Sequence, residues 1–390
     1  MYRNGYHKAL VDEWLHLRIG IFLLAIVLSA MPWKSSAQLI PGLDTMVETR
    51  VRDHRFSGIV LIGKMDGERP AFLKAYGVAD FAKNVLNEPD TKFITASTAK
   101  CFTAVGIMRL VESGKIDLDL ALSHYLPDSV FPGRIADSIT IRQLLTHTAG
   151  LGDLISDKAF RSAPQNFRKL SDLVAVVRQE GQVARPGKFL YGTSDYVLLG
   201  AVIERVTGEA FAGYMAKQVF GPAGMRNTGF DMAVRPEGLA HGYTARNIGD
   251  VGYSWPIVNA AGDTVVLRPN DGILPATGVP GAVAYTTAGD LFLFAQALAR
   301  YRLLQRRWLE ELWRGQIVTG REGVNQQYGD GFFVGRNGKQ RIVNHGGTGP
   351  GIDVCFDIYP DSGVVVVILS NLDPPAAQDI REYTRGILGK

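Results

Sequence analysis

Apolar positions are arranged differently at the two ends of the chain and in its middle. Ile40, Leu43, Val47 and Val51 recur at helical spacing, and residues 56–63 (FSGIVLIG) and 71–76 then read as two strands of an antiparallel hairpin. At the other end, residues 354–359 and 364–369 (VVVVIL in the second) flank the turn Pro360-Asp361-Ser362-Gly363, and Ile380, Tyr383 and Ile387 mark a closing amphipathic helix. The ends match in type, so one sheet built from both termini and covered by terminal helices is expected. The middle is mostly helical in pattern. Residues 97–112 are apolar nearly all round up to Gly114, which predicts a buried helix, and Lys100 sits within it. Thr140-Ile141-Arg142-Gln143 is a capping box opening a short helix, residues 196–206 form another apolar helical stretch, and glycines and prolines between 224 and 281 predict loops and small strands.

The expected organisation is therefore α+β: an antiparallel sheet flanked by terminal helices (residues 38–96 and 280–390) and a mainly helical second lobe (97–279). Residues 1–37 are set apart. Arg18 precedes an apolar run from 19 to 31, too short to span a bilayer comfortably, and Ser35-Ser36-Ala37 offers small residues for signal cleavage. This reads as a secretory signal, which implies a periplasmic or secreted bacterial protein with no stable membrane insertion after cleavage.

Composition narrows the function. The 390 residues are 46% hydrophobic and 21% charged, with a formal net charge of +4, and no basic block concentrates that excess, so a nucleic-acid partner is not implied. Only Cys101 and Cys355 occur, and two buried free thiols are expected. There is no C-x-x-C, H-E-x-x-H, P-loop, G-x-G-x-x-G or G-x-S-x-G, so neither metal nor organic cofactor is implied.

One motif does carry chemistry. Ser97-Thr98-Ala99-Lys100 is the only S-x-x-K in the chain, and it opens a helix too apolar to tolerate an idle ammonium. Spacing i to i+3 puts the amine on the hydroxyl's face of the helix, within reach of its proton.

With FITASTAKCFTA (93–104) are found LLTHTAGL (144–151), RPGKFLYGTSDYVLLGAVIERVTG (185–208), GPAGMRNTGF (221–230), TTAGDLFLFAQAL (286–298), YGDGFFV (328–334) and NHGGTGPG (344–351). In these ordered segments the chain resembles the serine β-lactamase and penicillin-binding-protein-like hydrolases, in the branch of class C β-lactamases, D-alanyl-D-alanine carboxypeptidases and family VIII esterases. The resemblance implies the β-lactamase/transpeptidase-like fold and an acyl-enzyme on Ser97, with Lys100 and Tyr191 sharing the role of base. Either a neutral Lys100 takes the serine proton, or a Lys100 ammonium supports a Tyr191 phenolate that takes it; both stay open. It further implies an oxyanion hole from the Ser97 and Thr348 N–H groups, with His345, Gly346 and Gly347 as the third motif along the substrate. His345 would donate to substrate, and the two glycines would keep side chains out of its way. The second motif, usually Tyr-x-Asn, is Tyr191-Gly192-Thr193, with Thr193 in the asparagine's place. His147 is expected only to hold a turn. The expected function is a secreted serine hydrolase acting on a small-molecule ester or D-amino-acid-type peptide. A genuine class C-like β-lactamase and a catalytically weak wall-fragment-binding relative are the alternatives.

Overall fold

A computed structural model describes residues 40–248, 254–258 and 262–390. The expected signal segment, 1–37, lies outside them. In chain order the elements that matter are α1 (Leu43–Arg52), β1 (Gly58–Lys64), β2 (Phe72–Tyr76), α2 (Ala99–Glu112), α3 (Ile141–Leu145), α4 (Leu170–Glu180), α5 (Ser194–Thr207) and α6 (Ala288–Ala299). Strands β3 (Ile317–Val318), β4 (Gln327–Tyr328), β5 (Phe333–Asn337), β6 (Gln340–Gly349), β7 (Ile352–Tyr359) and β8 (Val364–Ser370) and helix α7 (Ala376–Leu388) complete them.

The eight strands form one antiparallel sheet in the order β3-β4-β5-β6-β7-β8-β1-β2. Both ends of the chain meet in it, because β1 pairs directly with β8, Gly58 opposite Ser370 and Lys64 opposite Val364. Successive side chains on β7 face opposite sides, as a pleated strand requires. Phe356 packs on Phe294 of α6, ring centroids 6.3 Å apart, whereas Asp357 takes a two-pronged ion pair from Arg385 of α7 at 2.7 and 2.8 Å. Helices therefore cover both faces. Ile59, Leu61, Phe356, Val365 and Val367 on the α6 face join one hydrophobic cluster with Phe102 and Ile107 of α2 and Leu198 and Val202 of α5.

The local expectations for α1, β1, β2, β7, β8 and α7 match the observed elements, and the Thr140–Gln143 capping box forms in both directions. Short strands Tyr243–Thr244, Trp255–Val258 and Thr264–Pro269 make a small sheet in the glycine-rich stretch. Both cysteines are free and buried. The predicted helix at 97–112 starts two residues later, because Ala96 adopts a left-handed φ of 41° and Ala96–Thr98 form a 3₁₀ turn ahead of α2.

Candidate active site

The Ser97 turn is held from two sides. Phe93 and Ile94 pair with Thr286 and Tyr285, and the Thr95 N–H donates to Ala284 O at 2.9 Å. Strand β6 then passes the turn. Strand β5 pairs with β6 only as far as Asn344, so residues 345–349 have, among the described residues, a strand partner on the β7 side alone and present an edge beside Ser97. Gly347 makes that approach possible: a Cβ there would stand 2.2 Å from Thr95 O and 2.9 Å from Ser97 N. Its lack of a side chain thus accommodates the serine turn itself, a reason the sequence does not reveal. Gly346, on the other face, would place a Cβ 3.3 Å from Val354 O. Thr348 is exposed next along this edge.

Lys100 is fully buried, with its Nζ 3.5 Å from Ser97 Oγ and donating to Gly281 O at 2.7 Å. One turn further along α2, Thr103 Oγ1 donates to Pro280 O at 2.5 Å, so two consecutive carbonyls of one loop are tied to the same helix face. Tyr191 lies alongside. Lys100 Nζ sits over its ring, 4.7 Å from the centroid, and over the Tyr196 ring at 5.5 Å. Tyr191 also stacks on Phe333, with centroids 6.2 Å apart and planes 19° from parallel. Ser97, Lys100, Tyr191 and the edge of β6 are brought together. Thr193 is the residue that caps the start of α5 nearby, buried, with its N–H donating to Asp153 Oδ1 at 2.8 Å.

His345 occupies the β6 edge with both ring nitrogens already engaged. Nδ1 lies 2.7 Å from Gly346 O and Nε2 lies 3.1 Å from Tyr328 Oη. Burial, reinforced by the Lys100 cation, pushes the imidazole down to about 3, so it is neutral, donates from Nδ1 and accepts the Tyr328 hydroxyl at Nε2. No donor is left over for a substrate in this arrangement.

Sequence reasoning missed three neighbours. His147 is buried against Tyr191, centroids 4.4 Å apart, and pairs with Asp195 at 2.7 Å. The Gly281 carbonyl is the second. Third, the exposed Arg321 guanidinium lies 4.9 Å from the Phe333 ring centroid and 5.6 Å from that of Tyr191. An aspartate opening the apolar stretch of α5 was the one local signal, since a buried carboxylate needs a partner.

A family model described as Beta-lactamase matches residues 43–389. The chain belongs to the Beta-lactamase family. It is 30% identical over 317 residues to esterase EstB of Burkholderia gladioli, covering 76% of this chain and 80% of that protein. It is 28% identical over 352 residues to penicillin-binding protein 4* of Bacillus subtilis (strain 168), covering 89% and 74%. The crystal structure of a penicillin binding protein from Bacillus halodurans superposes with a TM-score of 0.74 at 29% identity, over 87% of this chain and 98% of that one. The protein is thus a serine hydrolase of the β-lactamase fold. Among the described residues no helix is long and apolar enough to cross a membrane.

Proposed function

We propose that this member of the Beta-lactamase family is an exported hydrolase that cleaves small esters and D-amino-acid-type amides through an acyl-enzyme on Ser97. The observation that carries this reading is the fully buried Lys100 amine, 3.5 Å from Ser97 Oγ and without an ion-pair partner among the described residues. Ser97 Oγ attacks the substrate carbonyl carbon, and its proton passes to the Lys100–Tyr191 unit. The Ser97 and Thr348 N–H groups stabilise the oxyanion, the ester or amide bond breaks, and the leaving alcohol or amine takes the proton. Water then hydrolyses the acyl-serine. Export is supported by the apolar segment 19–31 and by bacterial relatives named as penicillin-binding proteins, and it places the enzyme in the periplasm or outside the cell.

Substrate preference follows from the third motif. A neutral His345 with both nitrogens occupied provides neither charge nor donor for the ring carboxylate of a β-lactam. Activated esters such as p-nitrophenyl butyrate should turn over well, with nitrocefin slow or inert. Fluorophosphonate labelling followed by mass spectrometry tests the nucleophile: mass added at Ser97 and loss of labelling in Ser97→Ala are expected. Labelling at another residue would overturn the Ser97 assignment, no labelling would favour a non-catalytic ligand-binding role, and nitrocefin hydrolysis at the ester rate would favour a genuine β-lactamase.

Arg321 favours a second, narrower reading. Its guanidinium stands beside Tyr191, so a substrate bearing a carboxylate could meet a cation there. Arg321→Ala should then lower kcat/KM for acyl-D-amino acids about tenfold more than for their neutral esters. Equal losses for both would remove this reading.

A further inference from the structure

We propose that His147 and Asp195 form a buried positioning pair behind Tyr191, an imidazole–carboxylate couple whose negative charge balances the Lys100 cation. The proposal rests on the hydrolase reading above. Its basis is geometric. His147 Nδ1 and Asp195 Oδ2 are 2.7 Å apart, both side chains are buried, and His147 Nε2 and Asp195 Oδ1 have no hydrogen-bond partner among the described residues. A polar pair this dry is costly to bury for the sake of a turn alone.

The pair and Lys100 flank the same two rings. His147 lies 4.4 Å from Tyr191 and 5.2 Å from Tyr196, and Lys100 Nζ lies 4.7 and 5.5 Å from them. Lys100 is a buried amine whose hydrogen-bond acceptor is a carbonyl rather than a carboxylate, so in its ammonium form the charge is answered only at longer range. Asp195 is the carboxylate placed to do this through His147. The other charged or titratable groups around the pair are His345, Arg321, Tyr328 and Asp153. Burial pushes the His147 imidazole well below its ordinary value, and Lys100, His345 and Arg321 push the same way, so the ring is neutral. Burial also pushes the Asp195 carboxyl up, and Lys100 opposes it. The proposal places the proton on Nδ1, so that a neutral ring donates to an ionised Asp195 across the 2.7 Å contact. The Gly192 N–H also points at Nδ1, at a long N···N distance of 3.4 Å, and is the weaker of the two contacts on that nitrogen.

His147 itself has a left-handed φ of 57°, a conformation that asparagine tolerates better than most residues. Two variants therefore separate charge from packing. Asp195→Asn removes the charge at constant shape. It should move the acidic limb of the kcat/KM profile to lower pH by about half a unit or more, because the site around Ser97 loses a nearby negative charge that favours proton uptake. His147→Asn keeps an N–H donor for Asp195 but removes the ring. It should leave that limb in place and lower kcat, because Tyr191 loses a packing surface. An unshifted limb in Asp195→Asn would overturn the proposal.

A measurement on the unaltered protein guards against variants that fail to fold. Nitrogen-15 NMR of the histidines should find His147 neutral from about pH 5 to 8, where an ordinary histidine titrates, with its proton on Nδ1. A proton on Nε2, which would mean a protonated Asp195 donating to Nδ1, overturns the pair's charge. Failure of the hydrolase reading shows separately, as absence of fluorophosphonate mass at Ser97, and leaves the tautomer result standing.

Discussion

A lysine that is fully buried and three residues from a serine is poised between two kinds of work: holding a loop and moving a proton. Lys100 holds the Gly281 carbonyl at 2.7 Å, and that contact needs only one of its N–H bonds. An amine that donates to Gly281 can still turn its lone pair towards Ser97. A guanidinium cannot, because it stays protonated at any working pH and is planar and larger. Lys100→Arg should therefore lose at least about 100-fold in kcat on p-nitrophenyl butyrate, the scale of a lost general base. Steady-state kinetics beside thermal unfolding check this. A variant that hydrolyses the ester at near-wild-type rate would reduce Lys100 to a structural cation.

Strand β6 is the element on which the site depends, because it is internal to the sheet as far as Asn344 and an edge beyond it. The change of status lets the backbone approach the serine turn. Gly347 meets that turn and Gly346 does not, so the two glycines should respond differently to the same added methyl. In Gly347→Ala the Cβ would collide with Thr95 O at 2.2 Å, and strand and serine turn must separate. A displacement of the order of 1 Å between nucleophile and oxyanion donors costs about 100-fold in kcat. In Gly346→Ala the nearest atoms are at 3.3 and 3.4 Å, one of them the movable Arg381 side chain, and a loss below about tenfold is expected. Parallel kcat and melting measurements on the two variants decide it. Equal losses would mean that contact with the Ser97 turn is not what distinguishes them.

Across the whole molecule, segments far apart in the chain are tied by a polar network under the sheet end that carries β3 and β4. Arg142 of α3 reaches Asp119 and Glu311, and Gln316 reaches the fully buried Asp330 at 2.9 Å. Burial, only partly offset by Arg142, pushes the Asp330 carboxyl up to about 7. Between about pH 4 and 7 the folded protein then holds a proton that the unfolded chain releases. Stability from this group is fully present below about pH 4 and is lost progressively as pH rises from there to about 7. Asp330→Asn keeps an acceptor for Gln316 and cannot ionise. It should match the wild type within about 1 kcal/mol at pH 4 and exceed it by up to about 4 kcal/mol at pH 8, in guanidinium unfolding. A gain at pH 4 equal to that at pH 8 would mean ionisation is not the cause.

The sequence alone was enough for whatever short-range chemistry records. The i to i+3 spacing of Ser97 and Lys100, the all-round apolar helix behind them, the capping box at Thr140 and the VVVVIL strand all reflect local periodicity or burial, which neighbouring residues reveal. What depends on a partner far along the chain could not be read there. The Gly281 carbonyl on Lys100 lies 181 positions away, and the Tyr328 hydroxyl fills His345 Nε2. His147 was expected to hold a turn, and its left-handed φ is the local part of that expectation. Its pairing with Asp195, 48 residues on, was not legible. Hydrogen-bond partners of buried polar groups are chosen by how helices and sheet pack, and only the assembled fold brings α2, α3, α5 and the edge of β6 to one place.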